Sequence, residues 1–124
     1  MPTILIIEDV AEARKAISRT LETNGYEVLT APNGKLGLHV VQDVPVDLVL
    51  TDILMPEMEG LETIRAIVNL RPDLPIIAMT GSICEPFLEA AVAFGAVSGL
   101  TKPFSNDLLL RQIANALGNK LRKR

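Results

Sequence analysis

Five short runs along the chain are almost wholly apolar: Thr3 to Ile7, Tyr26 to Thr30, Val46 to Thr51, Pro75 to Met79 and Val97 to Thr101. They are rich in aliphatic and β-branched residues and show little alternation, the pattern of strands buried on both faces. Between them lie segments whose apolar positions recur every three to four residues, as helices packed along one side require. Ala13, Ile17 and Leu21 mark the first stripe, Leu36, Val40 and Val41 the second, and Leu61, Ile64 and Val68 the third. Phe87, Ala91 and Phe94 mark the fourth, and Leu110, Ile113 and Leu117 the fifth. The punctuation agrees with these periods. Asn24-Gly25 ends the first helix, Pro32-Asn33-Gly34 opens the second, Pro72 stops the third, Gly95 closes the fourth and Ser105 caps the fifth. Pro86 suits a first helical turn, where a missing N–H does no harm. Five β–α pairs in strict alternation predict an α/β fold: a parallel sheet with right-handed crossovers and helices on both faces.

Composition narrows this to one compact unit. The chain has 124 residues, of which 48% are hydrophobic and 22% charged, enough apolar matter for a core and too much for a disordered chain. The expected organisation is a domain over residues 1–119 followed by a short basic tail, residues 120–124. Formal charge is −3, but four of the twelve cations, Lys120, Arg122, Lys123 and Arg124, fall in that tail. The acidic body left behind argues against nucleic-acid binding through the folded surface, which needs clustered Lys and Arg. A lone cysteine, Cys84, permits no internal disulfide, and with no export signal or membrane-length apolar stretch visible the expected location is the cytoplasm.

In an open doubly wound sheet, ligands bind beyond the carboxyl ends of the strands where strand order reverses; for order 2-1-3-4-5 that point lies between strands one and three. Glu8 and Asp9 come after strand one, Asp52 after strand three, Thr80 after strand four and Lys102 after strand five. Three carboxylates in one crevice repel each other unless a cation joins them. Oxygen ligands with room for water suit Mg²⁺, or Mn²⁺, and the lack of nearby His or a second Cys tells against Zn²⁺. A carboxylate held between a divalent cation and a lysine is arranged to attack and then hold a phosphoryl group, because the two cations spread the developing negative charge. The product would be an aspartyl phosphate.

These residues, together with the stretch Asp52-Ile53-Leu54-Met55-Pro56-Glu57-Met58-Glu59-Gly60 and Lys102-Pro103-Phe104, make the chain resemble the receiver domain of two-component response regulators over essentially its whole length. The resemblance implies a flavodoxin-like sandwich with a five-stranded parallel sheet of order 2-1-3-4-5 and five helices. It implies that Asp52 accepts phosphate from a phosphohistidine of a sensor kinase or phosphotransfer protein, and that Glu8, Asp9, Asp52 and the backbone carbonyl of Leu54 hold Mg²⁺. Lys102 would pair with the phosphoryl group, Thr80 would move to hydrogen-bond it, and the Lys102-Pro103 bond would be cis. Output would pass through the face of helix four, strand five and helix five to a downstream protein effector, with a dimer formed on phosphorylation as one form of that output. The domain is therefore expected to be a signalling module that assists its own phosphorylation and dephosphorylation, not a turnover enzyme.

Three features depart from the family pattern. Gly99 stands where an aromatic ring usually rotates, Gly81 where Ala is commoner, and Leu54 and Ser82 flank the path of hydrolytic water. An apolar Leu54 cannot orient that water, so slow self-dephosphorylation is expected. Gly99 also keeps open a second reading, a docking or dimerisation module with weak phosphorylation-dependent switching. Two other classes fit less well. An aspartyl-phosphate hydrolase of the haloacid-dehalogenase type carries a second acid two residues after the nucleophile, where this chain has Leu54. A nucleotide or flavin binder would need a glycine-rich phosphate loop, and the loop after strand one is acidic instead. His39 reads as an ordinary helical residue, Cys84 and the pair Met55 and Met58 as packing, and Asp43 and Asp47 as loop or strand-start acids.

Overall fold

The computed structural model describes residues 1–53, 60–81 and 85–122, with side chains given at all of these except 85–87 and 119–122. Among the described residues, ten elements alternate: β1 (Thr3–Ile7), α1 (Ala11–Thr23), β2 (Glu27–Ala31), α2 (Gly34–Asp43), β3 (Leu48–Asp52), α3 (Gly60–Leu70), β4 (Ile76–Gly81), α4 (Glu85–Ala93), β5 (Ser98–Lys102) and α5 (Asn106–Arg122). The strands form one sheet in the order β2-β1-β3-β4-β5, and every pair is parallel. Fold class and strand order match the expectation.

Alternation along the strands divides the core in two, since successive side chains leave a strand on opposite faces. Leu5, Ile7, Val49, Ile76 and Ala78 pack with Val41, Ile64, Ile67 and Ala91 in the layer under α2, α3 and α4. Ile4, Ile6, Leu48, Leu50, Ile77, Met79 and Leu100 pack with Ile17, Leu21, Leu109 and Ile113 under α1 and α5. The central strands are apolar along most of their length because both of their faces are covered.

The termini are fixed by the expected residues. Gly25, at φ 90°, and Gly95, at φ 123°, take the left-handed conformation that ends α1 and α4. Asn33 accepts from the Leu36 N–H at 2.9 Å and Ser105 Oγ from the Leu108 N–H at 3.0 Å, capping α2 and α5.

Several boundaries and faces differ from those the periodicity predicts. All of the later strands begin one or two residues further on than their apolar runs, and β3, β4 and β5 reach past them to include Asp52, Gly81 and Lys102. Hydrogen bonding to the neighbouring strand continues after the apolar pattern stops, so the polar residues expected beyond the strands are part of their ends. On α2, Leu36 is exposed and Gly37 faces the sheet instead; a Cβ at Gly37 would collide with the Ile7 side chain. Phe94 is likewise exposed, with the Arg65 guanidinium lying 5.7 Å from its ring centroid. Among the described side chains of α5, Leu109, Ile113 and Ala116 are buried and Leu110 and Leu117 lie at the margin. The backbone of α5 continues through Arg122, so the basic stretch begins as helix.

Candidate functional site

β1 and β3 run side by side, with Ile7 opposite Thr51 as their last registered pair. The next residues, Glu8 and Asp52, therefore meet at the carboxyl edge of the sheet. Each shares the parity of the α1/α5 layer, as does Lys102 at the end of β5. Glu8 is fully buried and Asp52 is 7% exposed, whereas Asp9 is exposed. One oxygen from each of the three carboxylates can lie within 4.8 Å of the others.

Lys102 spans this cluster. Its Nζ donates to Glu8 Oε1 at 2.5 Å and to Asp52 Oδ2 at 2.8 Å. Burial pushes the Glu8 carboxyl from its ordinary 4.5 up to about 7; the Lys102 bond pulls the other way, and the Asp52 charge adds to the rise. Burial also works against the Lys102 charge, but its bonds to Asp52 and Glu8 outweigh that and hold the ammonium above its ordinary value. One lysine thus faces two carboxylates, with a third beside them. The Lys102-Pro103 bond is cis.

Two buried polar atoms here have no hydrogen-bond partner among the described residues: Glu8 Oε2 and Thr80 Oγ1. Buried polar groups are normally satisfied, so both point to a site that takes a ligand. For Glu8 Oε2, set beside two other acids and one cation, a divalent metal of the oxygen-preferring kind fits the donor set. Thr80 occupies a different position. Its parity is that of Ala78, in the α2–α4 layer, and it is paired in register with Thr101.

A family model described as the response regulator receiver domain matches residues 4–114. The chain belongs to the response regulator receiver domain family. The response regulator receiver protein CpdR of Brucella abortus is 35% identical over 117 residues, covering 94% of this chain and 98% of that protein. The transcriptional regulatory protein GlrR of Escherichia coli is 36% identical over 114 residues, 92% of this chain but 26% of GlrR. This chain thus spans about a quarter of the length of GlrR and nearly all of CpdR. A response regulator receiver domain protein from Clostridium thermocellum superposes with a TM-score of 0.95 at 31% identity, with both chains fully covered. Receiver domains are signalling domains with an acidic site that binds Mg²⁺, and this one carries the acidic cluster Glu8, Asp9 and Asp52.

Leu54, Met55, Pro56, Met58, Ser82 and Cys84 lie outside the described residues, so the expected Leu54 carbonyl ligand has no position here. His39 is exposed on α2, and Asp47 accepts the Thr3 N–H at 2.8 Å across the start of the sheet. A Cβ at Gly81 would meet nothing within 4 Å, whereas at Gly99 it would lie 2.9 Å from Leu88 Cδ2. Leu88, on α4, fills the space into which a side chain at position 99 would project. Gln112 on α5 holds the other side of β5, its Nε2 donating to the Gly99 carbonyl at 3.3 Å and its Oε1 accepting from Ser98 Oγ at 2.5 Å.

Sequence reasoning passed over Arg14. Its Nη1 donates to the Glu8 backbone carbonyl at 2.8 Å. The available signal was a cation one turn into the helix that comes after two acids.

Among the described residues, no helix is long and apolar enough to cross a membrane.

Proposed function

We propose that this receiver domain takes a phosphoryl group onto Asp52 from a phosphohistidine of a sensor kinase or phosphotransfer protein, with Mg²⁺ bound by the acidic cluster. The observation that carries the reading is the Lys102 ammonium held by Glu8 and Asp52 together. Lys102 fixes the Asp52 carboxylate in place and brings positive charge to where the phosphoryl oxygens would come to rest. An Asp52 oxygen forms the bond to phosphorus as the phosphorus–nitrogen bond of the donor breaks, and the electron pair leaves on the imidazole nitrogen. Glu8, Asp9 and Asp52, with the Leu54 carbonyl, would hold the cation. Bound there, it supplies the second positive charge opposite the lysine. Thr80 offers a buried hydroxyl with no partner among the described residues, which suits hydrogen bonding to an incoming phosphoryl oxygen.

Output is assigned to the face of α4, β5 and α5, towards a downstream protein effector or a second copy. Support comes from the exposed apolar residues Val92, Phe94 and Val97 around the end of α4 and the start of β5. Gly99 favours a second reading. With Leu88 already seated over it, no side chain at that position can rotate, so the domain would dock with weak dependence on phosphorylation.

Incubating the protein with a small-molecule phosphodonor and Mg²⁺, and measuring intact mass, tests the chemistry. Gain of one phosphoryl group in the parent and none in Asp52→Asn is expected. Equal labelling of both would place the nucleophile elsewhere. Once labelled, the protein should lose its phosphoryl group slowly, because Leu54 cannot orient water; loss of label within seconds at neutral pH contradicts that.

A further inference from the structure

We propose that Arg14 is a positioning residue for the acidic pair Glu8 and Asp9, fixing the turn between β1 and α1 in the shape that lets their carboxylates share a cation. This rests on the proposed binding of Mg²⁺ by the acidic cluster.

The turn needs such a strap. α1 starts behind Val10, whose extended backbone makes no side-chain capping bond, and an apolar residue at that position leaves the first N–H groups of a helix without help. Asp9 is exposed, so its place depends on the turn's backbone more than on packing around its side chain.

Arg14 closes the turn from both ends. Its backbone N–H donates to the Val10 carbonyl at 3.0 Å, and its guanidinium reaches back to the Glu8 carbonyl at 2.8 Å. The Glu8 N–H, for its part, donates to the Ala31 carbonyl of β2 at 3.1 Å. Glu8 is thereby tied to the sheet on one side and to the first turn of α1 on the other, with Asp9 between these anchors. A hydrogen bond from a charged donor is stronger than a neutral one, and restricting two turn residues in advance lowers the ordering cost that a cation would otherwise meet.

A charge effect alone has the opposite sign. A guanidinium near a cation site repels the cation, so its removal would tighten binding if repulsion were all that mattered.

The test uses the full chain as parent, Arg14→Met and Arg14→Lys, titrated with Mg²⁺ alone and followed through the amide shifts of Asp9 and Asp52. Arg14→Met is expected to weaken Mg²⁺ binding about 10-fold, the lower end of what removing an outer partner of metal ligands costs. Arg14→Lys, which keeps the charge and one donor, should recover most of that. In a chelating buffer, exchange of the Glu8 amide in Arg14→Met should quicken about 10-fold while that of Leu50 stays at the parent rate, because exchange reads local opening. Unchanged or tighter Mg²⁺ binding in Arg14→Met overturns the proposal, as does an unaltered Glu8 amide. A parent that ignores Mg²⁺ sinks the cation reading instead, and the Glu8 amide still decides whether Arg14 holds the turn.

Discussion

The two faces of the sheet are built on different physics. On the α1/α5 side, Glu8, Asp52 and Lys102 form a compact set of charges over an apolar floor of Ile6, Leu50 and Leu100. On the α4 side stand Thr80, whose hydroxyl has no partner among the described residues, and Gly99 under Leu88. The first face is electrostatic and held by short bonds. The second is steric, made of small residues beneath one aliphatic side chain. Under the proposed function the two faces have separate tasks, phosphoryl capture on one and its readout on the other, joined across β4 and β5, where Thr80 pairs with Thr101 and Gly81 with Lys102.

The sharpest test sets one residue from each face against the other. Asp52→Asn should abolish phosphoryl uptake, while Thr80→Ala should still take up the group, within about tenfold of the parent rate as for loss of one neutral hydrogen bond, yet lose the accompanying amide shifts in α4 and β5. Equal loss of uptake in both variants would merge the two faces into one site.

A second test addresses the steric face. Gly99→Phe should cost about 1–3 kcal/mol in urea denaturation, as overpacking does, because even a Cβ there lies 2.9 Å from Leu88 Cδ2. Adding Leu88→Ala should restore much of that loss, and the double-mutant cycle gives the coupling. Additive losses would show that Leu88 does not fill the space above Gly99.

The smallest effect concerns pH. Glu8 has its folded-state pKa raised from 4.5 to about 7, mainly by burial. It binds its proton more tightly folded than unfolded, so its contribution to stability is fully present below pH 4.5 and is lost as pH rises through about 7. In a chelating buffer, the urea midpoint of the parent should therefore fall relative to that of Glu8→Gln as pH rises from 4.5 to beyond about 7. Parallel curves would mean that folding leaves the Glu8 pKa where it is in the unfolded chain.

Much of the molecule was legible from the chain. The apolar runs identified all five strands, and Gly25, Asn33, Gly95 and Ser105 marked helix ends where the structure has them. The acids and the lysine stood out because each comes directly after an apolar run, at the edge where a doubly wound sheet binds its ligands. Strand ends were misplaced by a residue or two because the hydrogen-bond ladder runs on past the apolar pattern. The exposure of Leu36 was missed for a different reason: a glycine such as Gly37 can face a sheet that a larger residue could not approach, and periodicity counts only apolar side chains; Phe94 was missed because α4 ends at Ala93, so the helical period does not reach it.

Residue order alone determined the alternating elements and the polar identity of each site strand's end, since both arise from local periodicity and backbone preference. Which charges touch, and which face each polar residue occupies, was decided only in three dimensions. Glu8 and Lys102 are 94 positions apart yet share a bond, and Arg14 reaches back across its own turn. Leu88 fills the place that Gly99 leaves open. Such contacts depend on strand order, register and side-chain parity acting together, and no local window of sequence contains all three.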